Sequence, residues 1–398
     1  LDSDLDTRNG GAARAAPPYQ FRTRAIHVGQ GPDPATGAVV PPIHVASTYV
    51  QRAAGEWGAF DYSRSGNPSR ANLERAVADL ESGCGGLAFA SGMAAIHCAM
   101  MLVKSGDHVV AGTDIYGGTY RLLHRVLDRS GVDVTLAPST DLAAFERAMR
   151  PTTRLVWIES PGNPLMTVTD VGACAEIAHR HGARLAVDNT FATPVLTRPL
   201  ERGADIVMHS ATKYLGGHSD ALAGMLAVRD PELWKELYFF QNAIGGVMGS
   251  LETYLVARGL KTLELRVREQ CRSAARVAEC LAADRRVRRV LYPGLATHAG
   301  HALAAQQMDR AFGAMLSFEV HGDLEKTKRV AGATRLFQLA VSLGAVESLI
   351  EHPASMSHAS YHPDDRRAHG ISDGLIRISI GLEDPGDLCA DLDQALDA

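Results

Sequence analysis

From about residue 85 to residue 230, short unbroken apolar runs alternate with stretches whose apolar residues recur every three or four positions. The runs are Gly86-Leu-Ala-Phe-Ala, His108-Val-Val-Ala, Val132-Asp-Val-Thr-Leu, Arg154-Leu-Val-Trp-Ile, Arg184-Leu-Ala-Val, Asp205-Ile-Val-Met and Gly224-Met-Leu-Ala-Val. Between them lie amphipathic segments such as Asp141-Leu-Ala-Ala-Phe-Glu-Arg-Ala-Met and Asp170-Val-Gly-Ala-Cys-Ala-Glu-Ile-Ala-His. This alternation predicts an α/β domain, with a mostly parallel seven-stranded sheet covered by helices on both faces. Burial on both faces is why the runs are continuous and not alternately apolar and polar.

A long charge-rich helical pattern, about Leu260 to Ala283, leads into a different texture. Arg288-Arg-Val-Leu-Tyr-Pro-Gly, Ala314-Met-Leu-Ser-Phe-Glu-Val, Leu336-Phe-Gln-Leu-Ala-Val and Leu375-Ile-Arg-Ile-Ser-Ile read as strands. Helical segments such as Asp323 to Ala331 separate them, and a last helix runs from about Pro385 to Leu396. A smaller α+β domain is expected here. At the other end, Leu1 to Pro18 is polar and rich in Ala, Arg and Pro, which reads as a flexible lead and not a secretory signal.

In a sheet of this kind ligands bind beyond the carboxyl ends of the strands, and the polar residues fall there. Asp205-Ile-Val-Met-His-Ser-Ala-Thr-Lys213 starts as an apolar strand and ends on a lysine flanked by small hydroxyls, while Arg184-Leu-Ala-Val closes on Asp188. A lysine so placed suits a Schiff base with a carbonyl cofactor, and the carboxylate suits a pyridinium nitrogen, the pairing expected of pyridoxal phosphate (PLP) enzymes. A plain Lys–Asp ion pair capping two strands is the other reading the residues allow. Ser91-Gly92-Met93 opens a helical run, where backbone N–H groups can meet a phosphate or Ser91 can simply cap the helix. Tyr62 and Arg64 in a Gly/Pro-rich loop suit phosphate binding or a solvated loop, and Tyr116 past a strand end can stack on a flat ring or pack in the core. Arg377 lies inside an apolar strand, so its guanidinium needs a partner: a substrate carboxylate, or an internal acid such as nearby Glu383.

Composition narrows the field without choosing within it. Of 398 residues, 46% are hydrophobic and 21% charged, as in an ordinary globular protein. A net charge of −5 leaves no electrostatic footprint for nucleic acid or an acidic membrane, and no run of about 18 apolar residues suggests a spanning helix. Six cysteines without a CxxC are expected to be buried reduced thiols of a cytoplasmic protein. The histidines show no metal-binding spacing, and no metal site is expected.

Taken together the segments resemble the Cys/Met-metabolism PLP enzymes, the group of cystathionine γ-lyases, methionine γ-lyases and cystathionine γ-synthases. The resemblance rests on Tyr62-Ser-Arg-Ser-Gly-Asn-Pro, Phe89-Ala-Ser-Gly-Met-Ala-Ala-Ile, Asp114-Ile-Tyr-Gly-Gly-Thr-Tyr-Arg, Ser160-Pro-Gly-Asn-Pro and Ser210-Ala-Thr-Lys-Tyr. To these are added the stretch from Ser342 to His358 and Arg377-Ile-Ser-Ile-Gly-Leu-Glu-Asp. It implies an aspartate-aminotransferase-like (fold type I) architecture: an N-terminal arm over 1–65 reaching the neighbouring subunit, a PLP-binding α/β domain over 66–260, and a C-terminal α+β domain over 261–398. By the same resemblance Lys213 is the Schiff-base lysine, Asp188 the pyridinium partner and Tyr116 the stacking and acid/base group. Ser91, Gly92, Met93, Ser210 and Thr212 cradle the phosphate. Tyr62 and Arg64 reach the phosphate of the neighbouring subunit of a homotetramer built from two active-site-sharing dimers. Asn163, Ser342 and Arg377 form the substrate-carboxylate pocket, with Val341, Tyr62 and Arg121 also facing substrate.

The implied activity is α,γ-elimination from L-cystathionine and/or L-methionine, giving 2-oxobutanoate, ammonia and a thiol. Gly118 stands where methionine γ-lyases carry a cysteine, while Val341 replaces the glutamate usual in cystathionine-handling relatives. A cystathionine γ-synthase or O-acyl-homoserine sulfhydrylase uses the same scaffold. A PLP aminotransferase or a non-catalytic binding protein is the more distant alternative.

Overall fold

Each of the seven apolar runs between residues 85 and 230 forms a strand within two residues of its expected limits. The computed structural model describes residues 19–359 and 363–398. The lead over residues 1–18 lies outside them. In chain order the strands are β1 (Gly85–Phe89), β2 (His108–Gly112), β3 (Asp133–Ala137), β4 (Thr153–Glu159), β5 (Arg184–Asp188), β6 (Ile206–His209), β7 (Gly224–Val228), β8 (Val287–Leu291), β9 (Met315–Val320), β10 (Gln338–Leu339), β11 (Leu349–Glu351) and β12 (Leu375–Ser379). They belong to two compact units, one comprising the described residues up to 102 together with 198–263, the other 103–197 and the described residues from 264 on.

In the first unit β7 lies between β1 and β6 and runs antiparallel to both. Helix α1 (Pro68–Leu80) starts at Asn67, whose side chain accepts from Ser69 N and Arg70 N, with Pro68 at the position where a missing N–H does no harm. Its Glu74 is buried and accepts from Ala88 N at 2.9 Å, tying the helix to β1. Helix α2 (Gly92–Met100) follows β1 directly. At the far end of β6, His209 Nε2 lies 2.5 Å from Glu81 Oε1, and both side chains are fully buried.

In the second unit β5, β4, β2 and β3 lie side by side and are all parallel. Leu155, Val156, Trp157 and Ile158 of β4 are wholly inaccessible, as the continuous apolar run requires. Helix α3 (Val171–Arg180) is capped by Asp170 and returns the chain to β5. The same unit carries a second sheet in the order β10-β11-β12-β9-β8. Here the sequence reading needs amendment. Of Leu336-Phe-Gln-Leu-Ala-Val only Gln338–Leu339 pairs, and its neighbour β11 is three residues long, too short for any periodicity to announce.

The long charge-rich helix begins at Leu263, after a separate helix over Ser250–Leu260. In this helix α4 (Leu263–Ala283), Val267, Cys271, Ala274, Ala278 and Leu281 are buried at three- and four-residue spacing, the stripe that docks it. Cys280 of α4 is bonded to Cys389 of α5 (Pro385–Ala395), with Cα atoms 6.4 Å apart across 109 residues of chain. This corrects the expectation of six reduced thiols. Spacing rules see only nearby cysteines, and this pair is made by packing two helices. Cys84, Cys98, Cys174 and Cys271 are free.

Candidate active site

The expected site residues divide between the two units. In the first, Ser91 is the N-cap of α2, its Oγ accepting from Ala94 N at 3.1 Å. The opening N–H groups of a helix have no intrahelical acceptor, so with Ser91 engaged on Ala94 the amides of Gly92 and Met93 form the open, positive end. The end of β6 sits against it. A Cβ on Gly92 would come within 3.1 Å of the Met208 methyl and of Ser210 Cβ and Oγ. The missing side chain therefore leaves a cradle of backbone amides beside a hydroxyl, which is what a phosphate dianion needs. Of the two readings of Ser91, the helix cap is the one observed, and it lies at the edge of this cradle.

Thr212 pins the turn after β6, its hydroxyl accepting from Ala223 N at 2.9 Å and donating to Ala223 O at 3.1 Å. Lys213 N donates to Ser210 O at 3.1 Å, and Lys213 O accepts from Gly217 N at 2.7 Å. Lys213 is thus half-buried on a turn fixed on both sides. Tyr62 and Arg64 are exposed in the loop before α1. The Arg64 guanidinium lies 5.7 Å from the Tyr62 ring centroid and donates to Asn242 O at 2.6 Å and Oδ1 at 3.2 Å.

In the second unit Asp188 ends β5, with Oδ1 accepting from Thr190 N at 3.0 Å and from Thr190 Oγ1 at 2.5 Å. Directly across the ladder is Glu159, the last residue of β4. Its Oε1 accepts from Tyr116 N at 2.8 Å, which links the strand end to the tyrosine that opens the helix over Gly117–Leu122. Burial, and then the charge of Asp188, raise the Glu159 carboxyl well above the usual carboxylate range. Glu159 closes the fourth apolar run as Asp188 closes the fifth, and the sequence reading places it among the polar strand ends without assigning it a role. Asp114, two residues past β2, accepts from Thr167 Oγ1 at 2.5 Å, and burial lifts its pKa to about 6. A Cβ on Gly162 would fall 2.3 Å from Asp114 Oδ2, so only glycine lets the loop after β4 close over it.

Arg377 sits in β12 with 4% side-chain exposure. It donates to Asn163 Oδ1 and to Ser342 O, both at 2.9 Å, so three residues expected to share the carboxylate pocket do meet. Its ionic partner is Glu351, 3.0 Å away, and not Glu383, which accepts instead from Ser348 N and Oγ. Val341 is exposed next to Ser342, and Arg121 is exposed in the last turn of the Gly117–Leu122 helix. Among the described residues no group of three or more His, Cys, Asp or Glu is placed to hold a metal ion, and no helix is long and apolar enough to cross a membrane.

Residues 22–397 match the family described as Cys/Met metabolism PLP-dependent enzyme. The chain is 49% identical over 376 residues to a cystathionine β-lyase of Coxiella burnetii, covering 94% of this chain and 97% of that one. It is equally similar, 49% over 376 residues, to a cystathionine γ-synthase of Mycobacterium tuberculosis, covering 94% and 96%. Among solved structures, a cystathionine γ-lyase from Lactobacillus plantarum complexed with L-serine superposes with a TM-score of 0.92 at 42% identity, covering 95% of this chain and 99% of that one. Identity of this order along nearly the whole length, on an α/β sheet followed by a smaller second sheet, means that the chain belongs to the Cys/Met-metabolism PLP-dependent enzymes of fold type I.

Proposed function

We propose that this PLP enzyme of transsulfuration chemistry is a γ-lyase, cleaving the Cγ–S bond of L-cystathionine and/or L-methionine to 2-oxobutanoate, ammonia and a thiol. The observation that carries the reading is Val341, 60% exposed and one residue before Ser342, whose carbonyl Arg377 holds. An apolar side chain beside a carboxylate anchor can pack on a thioether but cannot pair with a distal ammonium.

The cradle at Gly92 fits the cofactor's phosphate. We assign Ser91, Gly92, Met93, Ser210 and Thr212 to that phosphate, with Tyr62 and Arg64 from the neighbouring subunit, Asp188 to the pyridine nitrogen, Tyr116 to the ring face, Asn163 to its edge and Lys213 to the carbonyl carbon. When bound, PLP supplies an electron sink for the carbanion formed at Cα. Arg377, Ser342 and Asn163 orient the substrate carboxylate, with Tyr62 and Arg121 alongside. The Lys213 amine would take the proton from Cα and, once it has handed that proton on, a second from Cβ, since a γ-leaving group departs only after Cβ is deprotonated. Tyr116 and Lys213 would return both protons, one to the leaving sulfur and one to Cγ. Lys213→Ala is expected to abolish turnover.

Purified protein incubated separately with L-cystathionine, L-methionine, and O-succinylhomoserine plus cysteine tests the assignment. 2-Oxobutanoate from either of the first two supports it. Pyruvate and homocysteine from cystathionine would identify a β-lyase, and cystathionine from the third mixture a γ-synthase; the relatives' names make both of these live alternatives. We further place the enzyme in the cytoplasm as a homotetramer, a state in which exposed apolar residues such as Val45, Val50 and Phe239 would be covered.

A further inference from the structure

A guanidinium buried in a strand must have its N–H donors met and its plane held still if it is to present a fixed fork to a ligand. Glu351, the cross-strand neighbour of Arg377 at the end of β11, is 1% exposed, and its Oε1 lies 3.0 Å from Arg377 Nη1. That carboxylate is itself braced. The Ser357 hydroxyl lies 2.6 Å from Glu351 Oε1 and 2.9 Å from His358 Nδ1. A hydroxyl has one proton, and a carboxylate can only accept it, so Ser357 donates to Glu351 and accepts the Nδ1–H of His358. His358 is buried, and burial followed by the charge of Arg377 pushes its pKa down to about 3, which keeps the ring neutral and compatible with that direction. The donors therefore run one way, from His358 to Ser357 to Glu351, and end on the oxygen that faces Arg377. On its other side Arg377 donates to Ser342 O, in a backbone held at φ 109°, a conformation serine adopts only under constraint. Among the described residues Arg377 Nε is buried with no hydrogen-bond partner, an N–H edge left over after Glu351, Asn163 and Ser342 are served.

We infer that Glu351, braced by Ser357 and His358, is the positioning residue that sets the Arg377 fork for the substrate carboxylate. This rests on the reading of Arg377 as the carboxylate anchor. Geometry, more than charge, is the contribution: removing the negative charge alone leaves the acceptor in place, whereas shortening the side chain or removing its brace releases the guanidinium.

The test uses PLP-loaded enzyme and equilibrium binding by calorimetry. The probes are L-norleucine, which has no sulfur to eliminate, and pentylamine, its decarboxylated counterpart. Glu351→Asp and Ser357→Ala should weaken norleucine by about tenfold or more and leave pentylamine unchanged, and Glu351→Gln should stay within about threefold of the parent for both. Arg377→Lys is the control and should erase the preference for norleucine. If it does not, the anchor reading falls and the positioning role with it. If it does, but Glu351→Asp and Ser357→Ala bind norleucine like the parent, the positioning role alone is wrong. Should Glu351→Asp fail to fold, Ser357→Ala decides, because it deletes one hydroxyl at a half-buried position.

Discussion

Val341 and Ser342 show how one loop carries both the general and the particular part of recognition. Arg377 bonds the Ser342 carbonyl, and on the proposed reading that anchor would serve any amino acid while the side chain one residue earlier would face whatever the substrate carries beyond Cγ. Replacing Val341 with glutamate would offer a charge partner to cystathionine's distal ammonium and remove apolar contact from a methionine methyl. The ratio of kcat/KM for cystathionine over methionine should rise by about tenfold or more in Val341→Glu, the range that a single pocket contact supplies. An unchanged ratio in a two-substrate assay removes Val341 from the specificity argument. At this scale the sequence was legible wherever a polar residue closes or interrupts an apolar run: Asp188, Lys213 and Arg377 all declared themselves that way. Partners were less legible. Glu383 is the acid near Arg377 in the chain, yet the pairing of β11 with β12 brings the far more distant Glu351 to the guanidinium.

At the scale of elements, the second unit gathers acids at the ends of parallel strands, and two of them are held against their preference for water. Asp114 has its pKa lifted from an ordinary 3.8 to about 6 by burial, offset in part by the Thr167 hydroxyl. In the folded state it binds a proton more readily than in the unfolded one, so its contribution favours folding fully below about pH 4 and is lost as pH rises through about 6. Above that, a standing penalty remains. Asp114→Asn, which keeps an acceptor for Thr167, should therefore melt progressively higher than the parent as pH goes from 4 to 6, with the gap constant above. A gap that does not change with pH would show that burial of the charge is not felt. A second prediction belongs to the α4–α5 pair. The Cys280–Cys389 bond closes a loop spanning 109 residues, and a cross-link of that reach adds about 2–4 kcal/mol by constraining the unfolded chain. Cys389→Ser should lower the melting temperature as much as a thiol reductant lowers it for the parent, and the reductant should do nothing further to the variant. Long strands and helices were legible because their periodicity repeats over several residues. The two- and three-residue strands β10 and β11, and a bond between cysteines so far apart in the chain, leave no periodic trace and exist only through tertiary packing.

At the scale of the whole molecule, the first unit is unusual in its surface. Val39, Val45 and Val50 are 80%, 82% and 94% exposed, and Leu222 and Phe239 exceed 60%. Apolar exposure of this density is of the kind a partner surface covers, and a second copy of the chain is the occupant that the proposed Tyr62/Arg64 assignment requires. Arg64 is exposed, in contact with Tyr62 and Asn242, on a loop whose next residues cap α1. If it serves the neighbouring subunit's cofactor phosphate, two inactive proteins can repair each other. A subunit with Tyr62→Ala and Arg64→Ala still has Lys213; a subunit with Lys213→Ala still has the loop. In a hybrid dimer, one site combines the intact lysine of the first with the intact loop of the second, and the other site lacks both. Random pairing makes half the dimers hybrids, so co-expression in equal amounts should restore about a quarter of the parent's activity per site, measured against each variant alone. Were Arg64 to act within its own chain, every hybrid site would lack either the lysine or the loop, and mixing would restore nothing. Hybrids isolated by differential tags put the comparison on a fixed stoichiometry, where the expected value becomes one working site in two.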